Sequence, residues 1–307
     1  MTKMIPIRNP KFKLFLKKKI NYYYSYNKDL FPATIPILMS KDDIEKLENY
    51  EYMSTMVLDS KRVLLFFVTD YYGNNLSIIC DRLFNFYCID IDVLDIIYKG
   101  TLFDCEMISD NIYLNDIISY CGDKIRNTKF SDRLTSIDYF INISVKSSKF
   151  NLLTKPHFKM EDYPVFISEY PDAKKGILFI PNTKFIFPGV QKSYLKWLPN
   201  EEQSIDLQVS LENEDIIIYT YNYRNKIKYA KISSEVENGK LLIDKIKNLE
   251  FFTDNCIVKF LIKDGNLLPS YVKTDKVFPN GLRIIELVLY TINQNLNMLT
   301  YNKGTLV

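Results

Sequence analysis

Residues 54–68 read STMVLDSKRVLLFFV, and this stretch decides how the rest of the sequence is interpreted. The polar residues DSKR at 59–62 interrupt an apolar run, and the block of Val, Leu and Phe behind them is typical of a buried strand. A strand holds side chains rigidly, while its end stays open to solvent. The head of this strand is therefore a suitable position for a reactive side chain, and we ask which residue occupies it.

Length and composition indicate a globular chain. The 307 residues are enough for one large or two ordinary domains, and we expect two. Hydrophobic residues make up 47% and charged residues 25%, which argues against a disordered chain or a membrane protein. The formal charge of +3 is compatible with a nucleic-acid partner but does not indicate one. No apolar run reaches the roughly 20 residues of a membrane-spanning helix, and no secretory leader is recognised.

The cysteines and the histidine do not predict a structural metal site. The five cysteines form no C-x-x-C pair, and His157 is the single histidine. We therefore expect reduced, mostly buried cysteines in an intracellular protein. The abundance of Tyr (23) and Phe (20) beside Asn, Lys and Ile indicates an AT-rich genome, so a lysine or a tyrosine alone carries little weight.

The start of the chain, KFKLFLKKKINYYYSYNKDLFP (residues 11–32), alternates basic and aromatic residues. Two interpretations remain open. The segment is either an arm that contacts RNA by neutralising phosphates and stacking on bases, or a solvated leader with a biased composition.

Further along, the sequence alternates between helical and strand patterns. Ser40 and Asp43 form a capping box that predicts a short helix up to Asn49. A hairpin with its turn at YYGNN (residues 71–75) follows, and residues 130–147 have helical spacing. Beyond Pro199, we predict short strands at residues 204–234, 239–252 and 256–276, which suit a small barrel of the oligonucleotide-binding (OB) type. A closing helix is predicted at PNGLRIIELVLYTINQNL (residues 279–296).

The polar motifs, taken in order, resemble those of the mRNA capping guanylyltransferases, which belong to the covalent nucleotidyltransferase superfamily together with the ATP- and NAD-dependent ligases. The resemblance runs from about Phe31 to about Leu296. It is carried by YMSTMVLDSKRVLLFFV, CDRLFNFY, GTLFDCEM, YLNDIISYCGDKIRNTKFSDRL, KGILFIP, YLKWLP, SIDLQV and KTDKVFPN.

The resemblance implies an α+β fold of the ligase and capping type. We expect a basic and aromatic arm at residues 1–30, a nucleotidyltransferase domain with antiparallel sheets at 31–199 plus 277–307, and an OB-fold β-barrel domain at 200–276, with a C-terminal helix. In the family, a lysine attacks the α-phosphate of GTP to form a lysyl-GMP phosphoamide, with Mg²⁺ or Mn²⁺ as the cofactor. The GMP then passes to a 5′-diphosphate RNA end.

This sequence departs from the family at the reactive position. In VLDSKR, Val57 stands where the lysine belongs and Ser60 where a glycine belongs, while Asp59 and Arg62 match. Valine has no nucleophile. Lys61 is a candidate substitute, although four positions along a strand place it on the same face about 13 Å away.

The resemblance also implies the ligand-binding positions, some of them altered. Cys105 replaces a glycine between two matching acids, Leu198 replaces the second lysine of K-x-K, and Lys273 replaces an arginine. The acids, Asp104 and Glu106, are the candidate ligands of a divalent cation. The implied nucleotide-binding residues are Asp59, Arg62, Glu106, Phe130, Lys196, Lys273, Asp275 and Lys276.

Three functions follow as alternatives. The chain is a guanylyltransferase-like component of mRNA cap formation that has lost lysyl-GMP chemistry, an active guanylyltransferase with another nucleophile, or an OB-fold nucleic-acid-binding module. Expected partners are the 5′ end of mRNA and an RNA triphosphatase, a cap methyltransferase or an RNA polymerase, with no membrane. The expected location is the nucleus, a nucleus-like compartment or a cytoplasmic viral factory.

Overall fold

A computed structural model describes residues 4–28, 30–183, 188–223, 225–263 and 265–300. The helices are α1 Pro10–Tyr24, α2 Ile44–Asn49, α3 Phe130–Tyr139, α4 Tyr163–Glu169, α5 Glu237–Lys247 and α6 Leu282–Gln294. The strands are β1 Ile5–Pro6, β2 Thr34–Leu38, β3 Tyr52–Met56, β4 Lys61–Thr69, β5 Asn75–Asp81, β6 Phe86–Cys88, β7 Ile91–Val93, β8 Thr101–Ile108, β9 Asn111–Tyr120, β10 Asp123–Lys124, β11 Val145–Ser148, β12 Asn151–Thr154, β13 Phe158–Lys159, β14 Ile177–Pro181, β15 Gly189–Trp197, β16 Ser204–Glu212, β17 Asp215–Asn222, β18 Asn225–Ile232, β19 Ile257–Lys263 and β20 Asn266–Val272.

The strands of the described residues form four sheets. The first has the order β1-β6-β5-β4-β8-β9-β10 with β12 beside β9, and the second pairs β11 with β7. The third has the order β13-β3-β14-β15-β2, and the fourth β18-β17-β16-β19-β20. Pairing is antiparallel except for β12 with β9 and β15 with β2. The predicted mixed α+β fold is confirmed.

Strand β4 is apolar along most of its length because both of its faces are buried. Val63, Leu65 and Phe67 join one core cluster, and Leu64 and Phe66 join the cluster on the opposite face. The predicted hairpin with β5 is confirmed. Its turn is held by Asp70, whose Oδ1 accepts the backbone N–H groups of Tyr72 at 2.8 Å and Asn74 at 2.9 Å.

The predicted helices before the hairpin, after it and at the end of the chain are also present. Helix α2 follows a capping box in which Asp43 accepts the backbone N–H of Ser40 at 2.9 Å. Helix α3 lies within residues 130–147, and α6 lies within residues 279–296.

The N-terminal segment is a helix that packs on the first sheet. Helix α1 begins after Asn9, whose side chain caps it, and buries Leu16, Ile20, Tyr23 and Tyr24 in the same cluster as Leu64 and Phe66. The expectation of an unpacked arm is therefore wrong for this helix, because its apolar residues recur at helical spacing on one face. Residues 1–3 and 29 of the predicted arm lie outside the described residues.

The fourth sheet contains the predicted short strands, with one exception. Residues 239–252 were expected to form a strand, but α5 occupies residues 237–247. Ile243 and Ile246 enter the core of the fourth sheet three positions apart, which is helical and not alternating spacing. Among the described strands, β18 and β20 at the two edges are not paired with each other, so closure into a barrel stays a prediction.

The domain boundaries also stay a prediction. Helix α6 packs on the fourth sheet through Ile285 and Val288, whereas Met298 after it packs with the core of the third sheet. The segment predicted to return to the first domain therefore contacts both cores. Residues 301–307 of that segment lie outside the described residues.

The packing of α1 makes a direct prediction about stability. Leu16 is fully buried, and Leu14, two residues earlier on the same helix, is 53% exposed. Leu16→Ala should lower the free energy of unfolding by about 2–5 kcal/mol because it leaves a cavity. Leu14→Ala, the matched control, should change it by less than about 0.5 kcal/mol. Urea denaturation measures both, and equal effects would show that α1 does not pack on the sheet.

Candidate functional site

The predicted motif residues converge on a pocket between the first and third sheets. This inner pocket has a volume of about 220 Å³. Its lining includes motif positions that the sequence analysis singled out, namely Val57, Ser60, Arg62, Asp104, Glu106, Phe130 and Lys196. They meet because the loop after β3 leads directly into β4, which joins the two sheets at this point. The position predicted for a reactive group does lie at a pocket.

Arg62 and Asp104, which both line the pocket, form an ion pair. The Nε of Arg62 donates to Oδ1 of Asp104 at 2.8 Å, and a second hydrogen bond joins the guanidinium to Oδ2. The Nη1 of Arg62 donates to the backbone carbonyl of Thr34 in β2 at 2.7 Å. Burial disfavours the charged guanidinium, but the neighbouring Asp104 carboxylate raises the pKa of Arg62 above its usual value. The pair therefore stays ionised and connects the two sheets.

A second buried ion pair was not predicted from the sequence. The Nζ of Lys155 lies 2.9 Å from Oε2 of Glu106, and the Lys155 side chain is only 2% exposed. Lys155 lies at the end of β12, just before Pro156, which favours an extended conformation at Lys155. Nothing in the local sequence shows that its partner is Glu106, 49 positions away.

A third pair, between Arg133 and Asp116, supports the inner wall. The Nε of Arg133 donates to Oδ1 of Asp116 at 2.7 Å, and Nη2 donates to Oδ2 at 3.1 Å. Burial raises the pKa of Asp116, and the Arg133 charge opposes that rise. The sequence did contain a sign of this pair, because an aspartate inside the apolar run of β9 needs a buried partner. Arg133 is fully buried and not a surface residue.

Lys196 is the cation of the pocket that lacks an ion-pair partner among the described residues. The other two basic lining residues, Arg62 and Lys155, are each matched by a carboxylate, as is Arg133 behind the wall. Burial lowers the pKa of Lys196 to about 8, and the nearby lysines add to that effect while Glu106 opposes it. The pocket can therefore offer one uncompensated positive charge to a bound anion.

The position of the missing nucleophile is apolar, and so is its neighbour. The backbone N–H of Val57 donates to the carbonyl of Gly176 at 2.9 Å, which extends the pairing of β3 with β14. A Cβ added to Gly176 would lie 3.3 Å from the Val57 Cβ and 2.6 Å from Cδ2 of Leu198. Val57 and Leu198 are thus both aliphatic and both border the space beside Gly176.

Lys61 does not line the inner pocket. Strand β3 ends at Met56 and β4 begins at Lys61, so the side-chain alternation does not continue from Val57. Arg62 faces the inner pocket, and Lys61 therefore faces the other side of the sheet, where it lines a different cleft. The expectation that Lys61 shares the face of Val57 is wrong for this reason.

Two further motif residues are buried. The side chain of Cys105 points away from Asp104 and Glu106 into the core below, so the loss of the family glycine leaves the pocket free. Phe130 is fully buried in the pocket wall and meets the ring of His157 edge-on, with the ring centroids 5.2 Å apart. Its assignment as a base-stacking ring stays a prediction.

The remaining predicted residues lie at a wider outer cleft. Asp59, Lys61, Lys273 and Asp275 line this cleft of about 640 Å³ between the first and fourth sheets, and Ser60 lines both the cleft and the inner pocket. The Nζ of Lys273 donates to the hydroxyl of Tyr271 at 2.9 Å. Lys276 is not among the lining residues and pairs with Asp206 at 2.6 Å.

The candidate metal ligands do not form a free pair of carboxylates. Asp104 is held by Arg62 and Glu106 by Lys155, so both charges are already compensated. Within the described ranges, no group of three His, Cys, Asp or Glu side chains is arranged to hold a metal ion. Both candidate ligands are therefore engaged by basic side chains, and a divalent cation at this position stays a prediction.

With this geometry established, the relationship to known proteins is clear. Residues 4–200 match the family "mRNA capping enzyme, catalytic domain", and the chain belongs to that family. A Caenorhabditis elegans mRNA-capping enzyme is 23% identical over 330 residues, with 91% of this chain and 49% of the relative covered. A Danio rerio mRNA-capping enzyme is 22% identical, with 87% and 48% covered. The chain thus spans about half the length of these relatives.

Solved structures give only distant matches. The ligase domain of M. tuberculosis LigD has a TM-score of 0.39 at 10% identity, with 81% of this chain and 96% of that chain covered. The ATP-dependent DNA ligase of bacteriophage T7 has a TM-score of 0.35 at 12% identity, with 78% and 98% covered. At these scores the two structures do not bear on the fold or the function. No helix in the described part of the chain is long and apolar enough to span a membrane.

The lowered pKa of Lys196 predicts a pH dependence of stability. Its folded-state pKa of about 8 lies below the ordinary 10.5, so the unfolded chain binds this proton more tightly. Burial of the charged Lys196 amine therefore lowers the free energy of unfolding by its full amount below pH 8. This effect decreases as the pH rises above 8 and is lost near pH 10.5. Relative to Lys196→Met, the wild type should gain stability above pH 8, by at most about 1.4 kcal/mol per pH unit.

Urea denaturation of both proteins between pH 7 and pH 10 measures this difference, because the titration of all other groups cancels between them. A difference that stays constant over the range would mean that the Lys196 amine is not desolvated. Lys175→Met is a suitable control, since Lys175 is exposed and lies outside the pocket.

Proposed function

We propose that this chain is a guanylyltransferase-like protein of mRNA 5′-cap formation that binds nucleotide or RNA but no longer forms lysyl-GMP. The observation that carries the proposal is Val57, which lines the inner pocket at the family's nucleophile position. An aliphatic side chain cannot attack a phosphate. Lys61, the nearest basic residue in the motif, faces another cleft.

The loss of a second cation supports the same conclusion. In the family, the K-x-K motif carries two lysines, of which Lys196 matches one that contacts phosphate, and here Leu198 stands in place of the second. Val57 and Leu198 flank Gly176, so the apolar surface forms one continuous patch. A patch of this kind cannot neutralise the charge that develops on a phosphate during transfer. We therefore propose that the two replacements together ended selection for the reaction.

A weak GTP site remains the best assignment for the inner pocket. Lys196 supplies the uncompensated positive charge, and Arg62 and Glu106 occupy family positions for nucleotide contacts. Because Arg62, Asp104, Glu106 and Lys155 are already paired, a bound nucleotide would compete with these pairs. We expect weak affinity as a consequence, and no step through Mg²⁺ or Mn²⁺ is assigned.

The outer cleft and the fourth sheet suit the RNA end. Asp59, Lys273 and Asp275 line the cleft, and the neighbouring sheet is of the strand-rich kind expected for an OB-type module. We propose the 5′ end of mRNA as the ligand of this region. The protein would then act in a capping assembly with an RNA triphosphatase, a cap methyltransferase or an RNA polymerase, in the nucleus, a nucleus-like compartment or a viral factory.

GTP binding tests the proposed role of the pocket. Titration calorimetry should detect weak GTP binding by the wild type. Lys196→Met should weaken it about tenfold to a hundredfold, because a charge-assisted contact with phosphate is lost. Lys175→Met, which removes an exposed lysine paired with Asp172, should bind as the wild type does. No GTP binding together with firm RNA binding would instead favour a nucleic-acid-binding module without a nucleotide site.

The second candidate function is an active guanylyltransferase that uses Lys196, and one observation favours it. Lys196 projects from β15 in register with Leu178 and Thr55, on the same side of the third sheet as Val57, and its pKa is lowered to about 8. After losing a proton, its amine would form an N–P bond to the α-phosphate while the bond to pyrophosphate breaks. Peptide mass mapping after incubation with GTP would find GMP on Lys196, and Lys196→Arg would abolish the adduct.

A further inference from the structure

An exposed group of aromatic rings lies at the N-terminal end of α1. Phe12 and Phe15 stack with ring centroids 5.8 Å apart, and Tyr71 of the β4–β5 turn meets Phe15 edge-on at 5.0 Å. Tyr72 lies against Tyr71 at 5.2 Å and is 82% exposed, while Tyr71 is 54% exposed. The rings therefore pack against one another, while large parts of Tyr71 and Tyr72 remain exposed to solvent.

The helix beside these rings is basic. Helix α1 carries Lys11, Lys13 and the run of lysines at 17–19 and has no acidic residue. Lys11 lines the groove of about 540 Å³ together with Phe12, Tyr71 and Tyr72. The carboxylate of Asp70 also lies in the groove, but it accepts hydrogen bonds from the backbone of Tyr72 and from both the backbone and the amide of Asn74. The turn thus engages the one acidic group of the groove lining.

This region is connected to the inner pocket along one face of the first sheet. On β4, Leu64 and Phe66 pack against α1, and Arg62 on the same face lines the pocket. From Arg62 to the turn at Asp70 is about 26 Å along the strand. Helix α1 itself is about 22 Å long and ends near the pocket at Tyr24, whose pKa is raised by burial and then by the charge of Asp104.

Lys18 is exposed and lies seven positions after Lys11 in α1, so the two lysines share one face of the helix. We propose that Lys11, Phe12, Lys18, Tyr71 and Tyr72 form a binding surface for single-stranded RNA, which we call the aromatic-lysine surface. Exposed rings that are held in place by other rings stack on bases of any identity, and lysines neutralise the phosphates between them. An acidic peptide would pair with the lysines, but its carboxylates would not stack on the exposed rings of Tyr71 and Tyr72. The RNA would reach the pocket region along α1. This surface is separate from the inner pocket and does not require GTP binding there.

Binding of a 5′-hydroxyl oligouridylate of about 16 nucleotides, followed by fluorescence anisotropy, tests the proposal without involving cap chemistry. Tyr72→Ala should raise the Kd about fivefold to tenfold because one stacking ring is lost. Tyr50→Ala is the matched control, since Tyr50 is 68% exposed and lies in a different turn, and it should leave the Kd unchanged. Thermal unfolding confirms that both variants are folded. Equal Kd values for Tyr72→Ala and the wild type would overturn the proposal.

The phosphate contacts have a separate readout. Lys11→Gln combined with Lys18→Gln should reduce the slope of log K against log salt by about 1.4, which corresponds to two contacts on a single strand. Lys174→Gln, at an exposed position outside α1, should leave the slope unchanged. An unchanged slope in the double variant would also contradict the proposal.

An abasic strand of the same length distinguishes base stacking from simple charge attraction. The wild type should bind the oligouridylate more tightly than the abasic strand, and Tyr72→Ala should bind the two strands alike. Equal binding of the two strands by the wild type would rule out stacking. Tighter binding of a phosphoserine peptide than of the oligouridylate, lost in Tyr72→Ala, would reassign the surface to a protein partner and overturn the RNA assignment.

Discussion

The buried ion pair between Arg62 and Asp104 is the interaction on which the site depends. It joins two neighbouring strands of the first sheet, and the third hydrogen bond of the guanidinium reaches Thr34 in the third sheet. Removing one partner would leave a buried charge without compensation, which typically costs about 3–5 kcal/mol. The pair therefore connects the first and third sheets at the pocket that lies between them.

The chemistry of the pocket depends on which charges remain unpaired. Two basic lining residues, Arg62 and Lys155, are matched by carboxylates, and Lys196 is left as the single uncompensated cation among the described lining residues. Val57 and Leu198, both aliphatic, border the space beside Gly176. Burying an unpaired charge is unfavourable unless a ligand compensates it. Lys196 is therefore the group of the pocket through which an anion would be bound most favourably.

The sequence predicted the site better than it predicted the packing. The order of the motifs brought Val57, Arg62, Asp104, Glu106, Phe130 and Lys196 together correctly, because each motif is local and their order is a property of the family. Lys155 could not be found, since its partner Glu106 is distant in sequence and no local pattern links them. The helices α1 and α5 were missed although their apolar residues recur at helical spacing, because abundant lysines obscured that spacing. The prediction that Lys61 lies on the same face as Val57 was wrong. The chain leaves the strand conformation between β3 and β4, so side chains do not alternate regularly from Val57 to Lys61.

Restoring the lost lysines tests the central claim most directly. The wild type and the double variant Val57→Lys with Leu198→Lys are incubated with α-labelled GTP and a divalent cation and then separated on a denaturing gel. If the pocket lacks only its reactive cations, the wild type carries no label and the double variant acquires one. A label that remains on the denatured wild type would contradict the proposal that this chain no longer forms lysyl-GMP.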